Sequence, residues 1–207
     1  MKAKRTTAVA MMMSAFCLGA NASLLNTELV TNGGAEDGLT GWSTTGIDSV
    51  PAVGLEAGFG ASTFTGGTGS ATQTADQTID ISALAASIDA GLLSSDFRVQ
   101  LQSRSLGAAL DTARARLTYL DGTDNPLGTF ELVDTINTDG FDWNLYTDLR
   151  AVPVNTRSIQ VTITATRLGG ASSDGFIDEV SLQVVPEPAS AALLAAGCLA
   201  LGRRRRA

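Results

Sequence analysis

Carboxylates are the residues through which this chain could do chemistry. Asp and Glu number 21, histidine is absent, and the only two cysteines, Cys17 and Cys198, lie close to the ends. Without histidine the commonest general base and the usual transition-metal ligand are both missing, and a Ser-His-Asp relay cannot be assembled. What remains is oxygen chemistry: a pair of carboxylates for glycoside hydrolysis, or carboxylates gathered around a hard cation. Asp139, Asp142, Asp174 and Glu179 are available for a pair, but acidic residues are so frequent that closeness in sequence selects none of them. No nucleophile elbow occurs, nor a Gly-rich loop between a strand and a helix. The chain reads as non-enzymatic.

Asp178 stands out among the carboxylates. With a period of two it shares the apolar face of Val180, Leu182 and Val184, while Glu179, Ser181 and Gln183 point to solvent. A carboxylate on an apolar face requires a partner. With no histidine in the chain and no lysine beyond Lys4, the candidates are an arginine or a hard metal ion. Asp121, Asp124 and Asn125 carry fragments of a calcium-loop pattern, yet the distant bidentate glutamate is missing, and a hairpin loop is the better reading. Trp42, Trp143 and Tyr146 offer flat aromatic faces that either stack on sugar rings or pack into a core. Trp143, flanked by Asp142 and Asn144, and Tyr146 after it are the candidate ligand-binding pair, whereas Trp42 reads as core. Arg104, Arg114 and Arg116 either contact acidic polysaccharide or decorate solvated strand faces.

The elements that position these side chains are strands. Phe97, Val99 and Leu101 share one face; so do Ala113, Ala115, Leu117 and Tyr119, with Arg98, Arg114 and Arg116 opposite. Ile159, Val161, Ile163 and Ala165 alternate with Gln160, Thr162, Thr164 and Thr166. One apolar and one wet face per strand builds an antiparallel sandwich. Further strands are expected over 24–30, 42–47, 71–79, 128–133 and 177–184, with one short helix over 82–90 ended by Gly91. Asp121-Gly122 and Asp174-Gly175 read as turns and Gly66-Gly67-Thr68-Gly69 as a loop. The fold class is all-β, an antiparallel β-sandwich.

The two ends differ from the middle. Lys2, Lys4 and Arg5, the apolar run 8–20 and Ala20-Asn21-Ala22 have the order of a signal peptide over 1–22. At the other end, over 186–207, Pro186-Glu187-Pro188 precedes an apolar run from 189 to 202 and the cluster Arg203, Arg204, Arg205 and Arg206. Fourteen residues make a helix of about 21 Å against a hydrocarbon core of roughly 30 Å, so this short hydrophobic helix spans only marginally. The arginines favour the cytoplasmic side and leave the body outside. The prolines should break helix and strand alike and so separate the domain, 23–185, from its anchor. Between residues 23 and 188 seven arginines face all 21 carboxylates, a formal charge of −14. Such a surface repels nucleic acid and anionic lipid and suits cations or neutral polymers.

The C-terminal order resembles the PEP-CTERM sorting signal of exported bacterial proteins. That resemblance implies recognition of Pro186, Glu187, Pro188 and Arg203 to Arg206 by an exosortase-type sorting protease. It further implies transient anchoring in the inner membrane, then display at the cell surface or in the extracellular matrix. The stretch Leu29-Val30-Thr31-Asn32-Gly33-Gly34-Ala35-Glu36-Asp37-Gly38-Leu39-Thr40-Gly41-Trp42, together with Phe176-Ile177-Asp178-Glu179-Val180, resembles the galactose-binding-like jelly roll found in many carbohydrate-binding modules. That resemblance implies that the first and last strands lie close and that a structural calcium ion (Ca2+) is held by Asn32, Glu36 and Asp178. The expected function is a glycan- or exopolysaccharide-associated binding module of the surface or biofilm matrix. The alternative is a self-associating structural matrix protein without a ligand pocket.

Overall fold

The computed structural model describes residues 24–52, 59–105, 110–135 and 142–187. The expected signal peptide, Pro188, the apolar run after it and the arginine cluster lie outside them. Among the described residues no helix is long and apolar enough to cross a membrane.

Ten antiparallel strands form two layers. They are β1 (Ser43–Thr44), β2 (Ile47–Pro51), β3 (Ser62–Gly66), β4 (Thr72–Asp80), β5 (Leu93–Ser105), β6 (Leu110–Leu120), β7 (Pro126–Val133), β8 (Asn144–Ala151), β9 (Ser158–Thr166) and β10 (Gly175–Pro186). One layer runs β2-β3-β10-β5-β8 and the other β1-β4-β9-β6-β7. The layers join where Arg104 and Ser105 pair with Asp111 and Leu110. The alternation in β5, β6 and β9 works as expected: Phe97, Val99, Leu101, Ala113, Ala115, Leu117, Ile159, Val161, Ile163 and Ala165 are all fully buried between the layers. The expected helix appears as a 3-10 turn Ser82–Leu84 running into α1 (Ala85–Asp89), with Leu84 and Ile88 in the core. Gly91, at φ +67°, supplies the left-handed turn that ends it.

Four expectations are corrected. Residues 24–30 form no ladder strand of their own; they run along β10 through a single parallel bridge, Leu25 to Val184, and the bonds Asn26 N–H to Val184 O and Leu29 N–H to Leu182 O. The segment over 42–47 is split by a turn into β1 and the start of β2. β3 and β8 have no counterpart in the sequence expectation. Finally, Pro186 does not interrupt the ladder: it is the last residue of β10, opposite Leu93, and Glu187 N–H still donates to Leu92 O at 2.8 Å. A proline whose missing N–H faces away from the partner strand is compatible with a strand end.

Candidate functional site

The segment 31–41 is a loop folded by its own polar groups. Asn32 adopts φ 53° and Ala35 φ 60°. The Asn32 amide donates to the carbonyls of Gly38 (3.0 Å) and Thr40 (3.4 Å), and its Oδ1 accepts from Asp37 N–H at 3.0 Å. Its main-chain oxygen accepts from the Trp42 indole at 3.2 Å. Both oxygens of Asn32 are thus engaged in shaping the loop. Gln77, reaching across from β4, accepts from Thr31 N–H and donates to the carbonyls of Thr31 and Gly41. Trp42 packs edge-on against Phe64 with ring centroids 5.4 Å apart and is buried, as the sequence suggested for this tryptophan.

This loop lies on an irregularity in β10. Pairing with β5 shifts between Asp178 and Ser181, so an extra residue is inserted around Glu179, which takes φ 47°. The bulge overturns the simple period of two. Asp178 stands opposite Gln100, on the other side of the sheet from core residues Ile177 and Leu182, which stand opposite Leu101 and Phe97. Asp178 is nonetheless fully buried, because the loop covers it. Gly33 makes that cover possible: a Cβ there would fall 1.9 Å from the Val180 carbonyl, and Val180 N–H donates to Gly33 O at 3.1 Å.

Three carboxylates meet beneath Gly34. A Cβ at that position would lie 3.4 Å from Glu179 Oε1, 3.5 Å from Asp178 Oδ1 and 3.9 Å from Glu36 Cγ. Glu36 Oε1 accepts from the N–H groups of Ala61 (2.9 Å) and Ser62 (3.1 Å). Asp178 Oδ1 accepts from Glu179 N–H at 2.7 Å, while Oδ2 is buried with no hydrogen-bond partner. Burial pushes the Asp178 carboxyl up to about 8, and the negative charges of Glu179 and Glu36 push the same way against the Glu179 amide. The sequence offered Asp178 an arginine or a cation as partner. The four ion pairs among the described residues leave it out, and its charged neighbours are both acidic. An orphaned, buried carboxylate oxygen between two further carboxylates suits a hard cation with oxygen ligands. Among the described residues no group of three or more acidic side chains is placed so that it could hold a metal ion, so at most two carboxylates could take part and the rest of any ligand set would be main-chain oxygen or water.

The aromatic pair is not a platform. Tyr146 in β8 stands opposite Val99 and faces the interior between the layers. Its hydroxyl donates to Asp134 Oδ1 at 2.8 Å, and burial with that carboxylate pushes the phenol up to about 12. Trp143 precedes the strand by one residue and packs edge-on against Phe59 at 5.4 Å; its indole N–H is buried without a partner. The structure therefore does not bring Trp42, Trp143 and Tyr146 onto one surface. Asp134, fully buried and also accepting from Ser103 N–H at 2.7 Å, is a residue sequence reasoning missed; nothing distinguishes it from its many acidic neighbours before the fold is known.

The other candidates have local roles. Asp121 Oδ1 accepts from Thr123 N–H, Thr123 Oγ1 and Asn125 N–H, which hold its carboxyl down at about 2 and make the expected hairpin loop. Asp121, Asp124, Asp80 and Arg157 border an open depression at the end of the sandwich where β10 finishes. Of the carboxylates considered for hydrolysis, Asp142 is exposed before β8, Asp174 precedes β10 and Glu179 lies in the bulge, while Asp139 is outside the described residues.

No sequence family matches the chain, and no curated protein matches it. Solved structures do. The enzymatically active domain of tailspike protein 4 of bacteriophage CBA120 aligns with a TM-score of 0.54 at 15% identity, over 76% of this chain but only 21% of that one. A family 16 carbohydrate-binding module aligns at 0.50 and 14% identity, over 74% of this chain and 98% of the module. The C-terminal family 22 carbohydrate-binding module of a Clostridium thermocellum xylanase aligns at 0.51 and 16% identity, over 80% and 96%. At these identities the likeness establishes the fold, a jelly-roll sandwich of the kind used by carbohydrate-binding modules.

Proposed function

We propose that this chain is an exported, non-catalytic module that associates with glycan or exopolysaccharide at the cell surface or in a biofilm matrix. The observation that carries this reading is the alignment of the body with nearly the whole length of two carbohydrate-binding modules. Histidine is missing, and the strongly acidic body suits a neutral polymer better than an anionic one. Trp143 with Phe59 is the aromatic group best suited to a sugar ring; Tyr146 supports the strand from inside.

Calcium is the second part of the reading. Glu36 and Asp178 supply carboxylate oxygens, and Asn32 holds the loop that brings Glu36 into place. The ion would neutralise a buried cluster and pin the loop to β10. Export completes the picture: the Pro186-Glu187-Pro188 segment and the arginines direct sorting through the inner membrane by an exosortase-type protease. Nucleic acid is not a partner of so acidic a body.

A glycan array run with and without a chelator tests the reading. Selective binding to neutral glycans that weakens on chelation supports the module. A blank array with calcium-dependent self-association supports the second reading, a structural matrix protein. One observation favours that alternative: Leu145 and Leu149 on edge strand β8 are 60% and 56% exposed. Against it, Asp148 and Arg150 of the same strand point inward, a device that discourages edge-to-edge pairing. Intact-mass analysis of the protein from its host tests export and sorting.

A further inference from the structure

The chain contains a single Asn-Gly pair, Asn32-Gly33, and the fold sets it in the loop that covers Asp178. Asn-Gly loses its side-chain amide readily, because glycine has no Cβ to shield the backbone nitrogen that attacks the asparagine Cγ. The attack requires the peptide between residues 32 and 33 to turn until the Gly33 nitrogen faces Cγ. Every group that must turn is held. The Asn32 amide donates to Gly38 O at 3.0 Å, its Oδ1 accepts from Asp37 N–H at 3.0 Å, and its main-chain oxygen accepts from the Trp42 indole at 3.2 Å. Beyond the peptide, Gly33 O accepts from Val180 N–H at 3.1 Å, and Gly33 lies so close to β10 that a Cβ would fall 1.9 Å from Val180 O. Before it, Gln77 accepts from Thr31 N–H at 2.7 Å and donates to Thr31 O at 3.0 Å and Gly41 O at 3.1 Å. Asn32 and Gly33 are only half-buried, so hydroxide reaches them and it is geometry that protects the pair.

We propose that Asn32-Gly33 is a modification site gated by its own loop: seated on β10 it keeps its amide, and lifted from β10 it deamidates, after which the loop no longer reseats. In the first step the Gly33 nitrogen loses its proton to hydroxide and bonds to Asn32 Cγ, while the Cγ–Nδ2 bond breaks and ammonia leaves with a proton from water. Water then adds across either C–N bond of the cyclic imide and leaves aspartate or isoaspartate. Water is the only co-reactant. Either product undoes the loop: a carboxylate at position 32 has no N–H to give to the Gly38 and Thr40 carbonyls, and it adds negative charge to a loop that already sets Glu36 over Asp178 and Glu179. Isoaspartate also lengthens the main chain by one methylene where Gly33 must meet Val180. The change therefore runs one way. Trp42 and Gln77 are positioning residues, which hold the peptide and make or break no covalent bond.

The full chain is held at pH 8 in chelator, and conversion of residue 32 is followed by peptide mapping, with isoaspartate scored as a separate peak. A synthetic peptide spanning residues 29–36 supplies the unrestrained rate. The native protein should convert about a hundredfold more slowly than the peptide, the factor expected when opening breaks three hydrogen bonds worth roughly fivefold each. Trp42→Phe deletes the indole bond and keeps an aromatic ring in the core, so it should speed conversion roughly fivefold; Gln77→Ala deletes three bonds and should speed it further. Ile163→Val, a core change in β9, should leave the rate unmoved. Asn32→Asp should raise amide exchange at Val180 about tenfold, since the partner of that N–H is Gly33 O. A native rate equal to that of the peptide, or a rate unmoved by both loop variants, overturns the proposal. Acceleration by Ile163→Val as large as that by Trp42→Phe overturns it as well, because global unfolding would then be the gate. Unchanged exchange at Val180 in Asn32→Asp overturns the one-way release.

Discussion

At the scale of the residue, Asp178 is the position where this fold works hardest against solvation. Its carboxyl, held up at about 8, lies above the ordinary value near 4, so without a cation the folded state binds a proton that the unfolded state has released. That contribution to stability is complete below pH about 4 and is lost as pH rises toward 8. In chelator, the thermal midpoint should therefore fall between pH 5 and pH 8, and millimolar calcium should restore it at pH 8. Asp178→Asn removes the buried charge, so both the pH slope and the calcium response should vanish; a calcium response that persists in this variant rules out the site. Gly33 is the companion test. Alanine there meets the Val180 carbonyl head-on, and the loop must lift off β10. A loss of roughly 2–3 kcal/mol in denaturant unfolding is expected, against about 1 for Gly38→Ala, whose site is open and whose only strain is its positive φ.

At the scale of the element, Glu36 links two loops that sequence places 25 residues apart. Its carboxylate holds the first N–H groups of β3, and the approach is so close that a Cβ on Gly60 would sit 2.1 Å from Oε1. Glu36→Ala should speed amide exchange at Ala61 and Ser62 about tenfold while leaving β6 and β9 protected. Because Phe59 belongs to the same stretch, the emission of Trp143 should shift as well. The strands differ in how far their patterns announced them. β5, β6 and β9 lie in the middle of the layers, so one face is wholly apolar and the alternation is plain. β8 reverses the pattern: Tyr146, Asp148 and Arg150 face inward at the sheet edge, where Arg150 stacks 3.5 Å above Phe130, and the leucines face out. A rule that sends leucine inward cannot find it. β3 is five residues beside a glycine-rich loop, too short to show a period. The candidate site was half legible. Glu36 and Asp178 were marked by a resemblance and by an apolar neighbourhood, but the bulge that turns Asp178 onto the other face leaves no local signal, and it alone brings Glu179 into the cluster.

At the scale of the whole molecule, charge decides which polymers come near. The stretch from residue 23 to Pro188 carries a formal charge of −14, its seven arginines offsetting only a third of its carboxylates. Potentials of this size reach about 8 Å into solution at physiological ionic strength and fade as salt is added. Neutral and anionic polysaccharides should therefore separate by the sign of their salt response. Affinity electrophoresis through gels containing a neutral polymer should show retardation that is nearly independent of salt, since the contacts proposed for such a polymer, stacking on Trp143 and hydrogen bonding, carry no net charge. An anionic polymer of the same backbone should retard the protein less at low salt, and the deficit should shrink at higher ionic strength as repulsion is screened. Retardation by the anionic polymer that is strongest at low salt would mean that a local arginine cluster, not the net field, governs recognition. Replacing Arg104 and then Arg116 by glutamine would show which face carries it.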